Sequence, residues 1–437
     1  MPISHPLAQH PLRVSLHNEV HARPPEALEA PQVISRVVML CDEQQRLASR
    51  DHLGALLRNH HLPLPDASAT HLRLDVGAFR IRWELHTEFV AWTFMLVQPD
   101  TELDGRTPQT AIEVVPRDWL SGLPGSALAS LHLWIQPTGA HKADKLMRAL
   151  LQDETLVAST VADGGGALYT DFAIHADGFS RMLLLTDRIA PRRLGRLVQR
   201  LLEIETYRMA ALLGLPAARD VSAVLASAER ELAELADSIR TATRHDEPLL
   251  LNHLTRLAGQ VESQHAKTHS RLSASAAYFE LVDRRIEDID ESRLAGMQTM
   301  HEFMDRRLTP ARSTCEWAAR RQDALSQRVS RISSLLRTRV EIEQQQSSQD
   351  LLTAMNQRQA MQLRLQSTVE GLSVAAITYY IVGLISYAAK AGHAIGWPFS
   401  AESSAAVAIP LVALGVWLLI RRLHRELVAS LSAGEQR

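Results

Sequence analysis

Residues 371–389 read GLSVAAITYYIVGLISYAA and carry no formally charged side chain between Glu370 and Lys390. Residues 403–420 read SSAAVAIPLVALGVWLLI and form a second uncharged stretch. A helix needs about 20 mostly apolar residues to cross a bilayer, so both stretches are long enough. They predict a two-helix transmembrane hairpin over residues 370–427. The alternative is a pair of buried core helices.

Charged residues that flank the second stretch predict its orientation. Arg421, Arg422 and Arg425 follow it, whereas the connection 390–402 is short and weakly charged. Because Lys and Arg are enriched on the cytoplasmic side of membrane proteins, the C-terminus is predicted to lie inside. The N-terminal sequence MPISHPLAQHPLR lacks the apolar core of a signal peptide, so we expect the N-terminus to be cytoplasmic as well.

A polar stripe runs along one face of the first apolar stretch. Its polar members, at spacings of 3, 7 and 7 residues, are Glu370, Ser373, Tyr380 and Tyr387. Ile377 and Leu384 fill the gaps on the same helix face. Polar groups within a bilayer need partners or water, so the stripe predicts contact with another helix or with a pore. An oligomer contact without conduction fits the spacing equally well.

Residues 1–190 predict an α+β cytoplasmic domain with a largely antiparallel sheet, preceded by an extended arm rich in Pro and His. His71–Val76 and Phe79–His86 alternate apolar and polar residues, and the apolar Phe89–Val97 follows, which predicts an antiparallel meander. The other predicted strands are Val33–Leu40, Leu131–Ile135, Thr155–Val161, Ala167–His175 and Phe179–Thr186. Helices are predicted at Asp42–Asn59 and Thr138–Leu151.

Residues 191–369 predict a long helical stalk, because strand signals stop at Pro191 and helix formers dominate. Prolines tolerated at helix starts delimit the predicted helices, which are 192–214, 217–244, 249–308 and 311–390. Leu325, Val329, Ile332 and Leu336 repeat with the 4-3-4 spacing of a coiled-coil seam. The predicted role of this region is that of a scaffold.

Composition excludes several classes of protein. The 437 residues, 46% hydrophobic and 22% charged, are those of an ordinary folded chain, and the net charge of −2 gives no reason to expect nucleic-acid binding. Two cysteines, Cys41 and Cys315, are too few for a disulfide framework or a Cys-based zinc site. Two free thiols suit a reducing cytoplasm.

Candidate sites for chemistry are few. His17 and His21 share the spacing of zinc ligands on a helix, but their sequence HNEVH lacks the zincin order and prolines follow closely. His265 and His269 have the same spacing without a third ligand. The run Asp163–Gly166 lacks the Lys-Ser/Thr of a phosphate loop and predicts a hairpin turn. We therefore expect no enzyme activity, cofactor or bound metal.

Three segments resemble a bacterial family of uncharacterised membrane proteins, domain of unknown function 3422. They are HPLRVSLHNEVHARPP (His10–Pro25), RLVQRLLEIETYRMAALLGLP (Arg196–Pro216) and EGLSVAAITYYIVGLISYAAKA (Glu370–Ala391). The most specific residues of this resemblance are Asn18, Glu19, His21, Arg23 and Pro24. The resemblance covers essentially the whole chain and implies a protein of the bacterial inner membrane, without implying a reaction.

The order of the predicted parts resembles that of CorA-like metal-ion transporters. In those proteins an α/β cytoplasmic domain is followed by antiparallel helices, a very long helix that enters the membrane, and a second span. The resemblance implies a homo-oligomer, a pentamer in that family, whose first spans line a pore for cations. The chain departs from the pattern at Ser386–Gly396, which reads SYAAKAGHAIG in place of a Gly-Met-Asn motif.

Two functional hypotheses follow. The first is an oligomeric CorA-like ion channel or transporter. The alternative is a membrane-anchored scaffold or sensor whose cytoplasmic domain binds a partner or ligand. For the arm, Glu19 and Arg23 either form a structural pair that fixes it to the domain or serve a functional role.

Overall fold

The computed structural model describes residues 10–14, 16–17, 24–97, 108–186, 188–243, 246–393, 396, 398 and 400–434. The chain divides into two units, residues 1–333 and residues 334–437. The division predicted from sequence, with boundaries at residues 190 and 369, stays a prediction.

Among the described residues, one sheet of nine strands forms the centre of the first unit. The strands are β1 Gln32–Leu40, β2 His71–Asp75, β3 Arg80–Leu85, β4 Phe89–Val97, β5 Ser126–Gln136, β6 Val157–Val161, β7 Gly166–Thr170, β8 Ser180–Thr186 and β9 Ser292–Arg293. Their order is β2-β3-β4-β1-β5-β8-β7-β6-β9, and the pair β5–β8 is parallel whereas the other neighbours are antiparallel. The prediction of a largely antiparallel sheet domain followed by long helices is confirmed, and the parallel pair β5–β8 makes the sheet a mixed one.

The helices are α1 Glu43–Asn59, α2 Arg117–Ser121, α3 Ala140–Leu150, α4 Pro191–Leu212, α5 Gly214–Thr241, α6 Glu247–Glu287, α7 Met300–His393 and α8 Ala401–Gly434. Single turns of 3-10 helix occur at Ala111–Val114 and Asp153–Thr155. Helix α1 begins with a capping box, in which Asp42 and Gln45 satisfy each other's backbone N–H groups. The predicted strand 167–175 is too long, since it ends at Thr170 before Phe172, which has a φ of 52°.

Helices cover both faces of the sheet. On one face the tryptophans Trp83, Trp92 and Trp134 form an apolar core together with side chains from α1, α2 and α3. On the other face, Val38 and Ala91 belong to a smaller core against which Tyr207 of α4, Met209 of α4 and Tyr278 of α6 pack. Strand β1 is therefore buried along almost its whole length.

The predicted boundary between the helices 249–308 and 311–390 is wrong. Helix α6 ends at Glu287, and the chain then forms β9, whose Arg293 and Ser292 pair with Ser159 and Thr160 at the sheet edge. Helix α7 begins at Met300 and continues through Pro310 to His393. Proline lacks only one hydrogen bond in a helix, so a helix that is otherwise well supported can contain it.

Local hydrogen bonds explain why the helix breaks before residue 300. Asp290 and Gly296 adopt positive φ angles of 50° and 78°, which end regular helix. Thr299 and Glu302 then form a capping box, with both N–H to side-chain distances at 3.1 Å. The carboxylate of Glu291 accepts from the N–H groups of Met300 (3.0 Å) and His301 (2.7 Å), which satisfies the first turn of α7.

The predicted coiled-coil seam lies in α7. Leu325, Val329 and Leu336 are buried and Ile332 is partly exposed. Burial at these positions agrees with an apolar seam. The coiled coil itself stays a prediction.

The segment after the N-terminal arm packs closely against the start of α4. The N–H of Leu28 donates to the carbonyl of Pro191 at 3.0 Å, and Arg80 pairs with Glu26. Gly195 of α4 faces this segment, and a methyl group in its place would overlap the carbonyl oxygen of Glu26. Glycine is required there because no side chain fits between helix and segment.

We predict that Gly195→Ala destabilises the sheet domain by about 1–3 kcal/mol, since the added methyl group must displace backbone. Thermal unfolding of the full chain in mild detergent, followed by tryptophan fluorescence, measures the loss. The matched control is Gly259→Ala in α6, where nothing lies within 4 Å of the added group. That change should stabilise the protein slightly, by up to about 1 kcal/mol, because alanine has a higher helix propensity than glycine. Equal midpoints for Gly195→Ala and the unchanged protein would contradict the packing.

Candidate functional site

Within the part of the chain that the structure describes, three helical stretches are apolar enough to cross a membrane by length and composition: Pro191–Thr241, Met300–Gly392 and Glu402–Arg422. In the first, 33% of the most apolar window is buried, and its helix α4 packs on the sheet. In the other two the buried shares are 0% and 6%. The alternative of two buried core helices is therefore not what the described residues form.

The polar stripe of the first apolar stretch lies in the second unit. Glu370 and Ser373 are half-buried, and they line a cavity together with Ile420 of α8. Residues near the start of the first apolar stretch therefore lie close to the end of the second. The transmembrane hairpin itself stays a prediction.

The rest of the stripe is exposed. Tyr380 is 72% exposed and Tyr387 is 77% exposed, and Leu384 between them is 69% exposed. By contrast, Thr378 and Ile381 on neighbouring helix faces are partly covered. The spacing 370, 373, 377, 380, 384, 387 alternates 3 and 4, which is the period of a seam between helices. This part of the helix face is therefore uncovered by the described residues.

The predicted basic cluster lies in α8. Arg421 and Arg422 are exposed, and the Arg421 guanidinium lies over the Trp417 ring at 4.9 Å from its centroid. Arg425 belongs to the same helix, and its side chain is outside the described part of the structure.

Most of the family motif falls outside the described residues, namely Asn18, Glu19, His21 and Arg23. Pro24 is described and exposed, and its carbonyl accepts a hydrogen bond from Arg73 of β2. The alternatives for the pair Glu19 and Arg23 therefore stay open.

The second histidine pair lies between α6 and α7. His265 and His269 line a cavity of about 260 Å³, and His265 Nε2 is 3.3 Å from Asp323 Oδ1. Within the described ranges no three His, Cys, Asp or Glu side chains are placed to hold a metal ion. Cys41 and Cys315 are both buried free thiols.

A Ser-His-Asp grouping occurs in the sheet domain, which the sequence did not suggest. Ser35 Oγ is 2.8 Å from His132 Nδ1, and His132 Nε2 is 3.9 Å from Asp177 Oδ2. His132 stacks on Phe179 with ring centroids 3.9 Å apart, and burial lowers its pKa to about 4. Because Ser35 and His132 are almost fully buried, and the Ile112 N–H donates to Ser35 Oγ, we read this grouping as part of the core.

A cluster of buried charges lies on the opposite face of the sheet, beneath α4. Glu84 of β3 accepts hydrogen bonds from Arg82 of the same strand and from Arg36 of β1, the latter at 3.1 Å. Arg36 Nη1 also donates to Thr93 of β4 at 3.1 Å. The exposed fractions are 5% for Arg36, 5% for Arg82 and 3% for Glu84. We call these three residues the charge trio.

The charge trio strongly favours the ionised carboxylate. Burial by itself raises the pKa of Glu84, but the guanidiniums of Arg36 and Arg82 outweigh it and lower that pKa to about 2. Across the gap, burial raises the pKa of the Tyr207 phenol on α4 to about 12. Sequence reasoning missed this cluster, although Arg36 within the apolar run of β1 was a readable signal.

We predict that Glu84→Gln lowers the free energy of unfolding by about 3–5 kcal/mol at pH 7, because two buried cations lose their counter-charge. A carboxyl whose folded pKa is below its ordinary value of 4.5 stabilises above pH 4.5 and loses that effect as pH falls towards 2. The difference between the two proteins should therefore shrink by about 3 kcal/mol over that interval. Urea unfolding followed by tryptophan fluorescence measures both effects.

The matched control is Asp237→Asn, which breaks an exposed ion pair with Arg240 and should change stability by less than about 1 kcal/mol. A Glu84→Gln deficit that is the same at pH 7 and near pH 2.5 would contradict the ion pairing.

Comparison with known proteins agrees with the resemblance carried by the N-terminal motif and the first apolar stretch. No curated protein and no solved structure matches the chain. The architectural resemblance to CorA-like transporters therefore has no support from a relative. A family model matches residues 8–427, and the chain belongs to the family described as Protein of unknown function (DUF3422).

Proposed function

We propose that this protein is an integral membrane protein that assembles into a homo-oligomer whose first apolar helices line a path for ions. The observation that carries the proposal is the exposed stripe of Tyr380, Leu384 and Tyr387 on α7. The stripe combines hydroxyl groups and apolar groups at the period of a helix seam. Copies of the same helix, packed along it, would place hydroxyl groups around a central axis.

Exposed apolar area supports insertion into a membrane. Leu372 is 70% exposed in α7 and Leu411 is 65% exposed in α8. Moving one leucine side chain from water into a hydrocarbon environment gains about 1.5–3 kcal/mol, and two helices carry many such residues. Exposed apolar surface that is contiguous over many residues marks membrane or protein contacts.

The proposed orientation places both termini in the cytoplasm of a bacterial inner membrane. Arg421 and Arg422 are exposed and directly follow the apolar stretch of α8, and the positive-inside rule assigns this side to the cytoplasm. The sheet domain then lies in the cytoplasm. Lys390 would lie near the outer mouth, where one cation per copy disfavours divalent cations. The proposed path therefore suits monovalent ions better than the divalent substrates of CorA-like proteins.

A second candidate function is a membrane-anchored scaffold or sensor. It is favoured by the charge trio, which borders a polar cavity in the sheet domain. Buried charges reduce stability unless they are well paired, so a pure scaffold gains little from them. A sensor would use them to bind a ligand.

We predict that the full chain in liposomes passes monovalent ions and that Tyr380→Ala changes this flux by about tenfold or more, since it removes a hydroxyl and a ring from the path. A fluorescent ion indicator inside the vesicles measures the rate. The matched control is Tyr379→Ala, because Tyr379 is equally exposed but lies off the stripe.

The control should leave the flux within about twofold of the unchanged protein. No flux above that of empty vesicles, or equal effects of the two substitutions, would overturn the conducting role.

A further inference from the structure

A polar cavity of about 200 Å³ lies between the charge trio and helix α4. The sheet contributes the trio together with His86 and Phe89, and α4 contributes Gln199, Glu203, Thr206 and Tyr207. A cavity that holds one water molecule has about 10–15 Å³ of such space, so this cavity has room for a small ligand.

The sheet side of the cavity carries a surplus positive charge. Two guanidiniums share the one carboxylate of Glu84, so the charge trio has a net charge of +1. Such a surplus is unfavourable in a buried site and would be offset by an anion.

The carboxylate on the helix side does not balance this surplus. Glu203 is paired with Arg285 of α6, and one of its oxygens also accepts from Gln199 Nε2 at 2.9 Å. The Glu203 charge is therefore already matched. The cavity as a whole retains the unbalanced cation of the trio.

Unsatisfied groups on the two sides identify the chemistry of a ligand. Arg36 Nε is buried and finds no hydrogen-bond partner among the described residues. Gln199 Oε1 on the opposite wall is likewise buried without a donor from the described parts of the chain. A guanidinium N–H donates well to an oxyanion, whereas an amide oxygen accepts from a hydroxyl.

We propose that this cavity binds a small oxyanion that also carries a hydroxyl group, such as hydrogen phosphate or a hydroxycarboxylate. Arg36 Nε donates to a charged oxygen of the ligand, and the ligand hydroxyl donates to Gln199 Oε1. Entry is from the side of His86, Glu203 and Tyr207, which are partly exposed, whereas Arg36 at the inner wall is not. If the protein is a sensor, this anion is the ligand that it senses. The biological role of the site therefore rests on the sensor hypothesis, whereas binding itself can be tested without any measurement of ion flux.

Calorimetric titration of the full chain in detergent at pH 7.5 tests the site with two matched pairs of probes. Hydrogen phosphate is compared with sulfate, and glycolate is compared with acetate. Each pair shares an anionic group, and only the first member offers a hydroxyl donor. Saturable binding of at least one hydroxylated probe below about 10 mM, at least about tenfold tighter than its partner, is the expected result.

Two substitutions separate the roles of the two walls. Arg36→Gln should weaken binding by at least about tenfold, because it removes a charged donor. Gln199→Leu should abolish the preference for the hydroxylated probe, whereas anion binding should remain. This second variant also tests the site if Arg36→Gln does not fold. The control is Arg321→Gln. It breaks a half-buried ion pair between Arg321 of α7 and Glu229 of α5, and neither residue lines the cavity.

The control should bind like the unchanged protein. Absence of saturable binding for all four probes, equal affinity within both pairs, or full affinity in Arg36→Gln would each overturn the site. If phosphate alone binds, the ligand is a phosphate, and if glycolate alone binds, it is a hydroxycarboxylate. If the unchanged protein binds the anion but passes no ions in liposomes, the result counts against the conducting role and leaves the anion site standing.

Discussion

The carboxylate of Glu84, held between the guanidiniums of Arg36 and Arg82 beneath α4, is the interaction on which the sheet domain depends. If this face of the sheet were exposed to solvent, the charged residues would keep their hydration. Here α4 and α6 cover the face, so the charges are removed from water. Buried charges are tolerated only when they are paired, so the positions of strands β1 and β3 are tied to one another by these contacts. Thr93 of β4, which lies between them, accepts from Arg36 and completes the link.

The same face connects the sheet to its helices through further charges. Glu203 of α4 pairs with Arg285 of α6. Glu88, the residue before β4, pairs with Arg271 and accepts a hydrogen bond from the Tyr278 hydroxyl at 3.0 Å. Each pair is partly buried, and each joins elements far apart in sequence. The helices are therefore positioned by specific ionic contacts as well as by apolar packing, which leaves a polar gap where the two surfaces do not fill each other.

Strand and helix positions in the sheet domain were largely predictable, because alternation and apolar runs report directly on backbone geometry. The role of Arg82 and Glu84 was not, since charged residues on every second position of a strand look like a solvent-exposed face. Only the helix packed above them makes them buried. The division between α6 and α7 does not lie at a proline, because α7 continues through Pro310, and the capping box of Thr299 and Glu302 is the sequence signal that marks it.

For the second unit the sequence predicted a stripe, and the structure adds which part of it is free. Glu370 and Ser373 line a cavity with α8, whereas Tyr380 and Tyr387 are exposed. Periodicity alone could not make this distinction, because it depends on where the second apolar helix packs. The N-terminal family motif could be recognised as a pattern, but a pattern without described neighbours does not show what its side chains contact.

The most direct measurement is the number of copies per particle of the full chain in lipid nanodiscs, by native mass spectrometry. An exposed seam of tyrosine and leucine on a helix in a membrane is expected to be covered by further copies of the same helix. A single oligomer that dissociates when Tyr380 and Tyr387 are both changed to alanine is the expected result. A monomer under all solubilising conditions would contradict the assembly and, with it, the proposed path for ions.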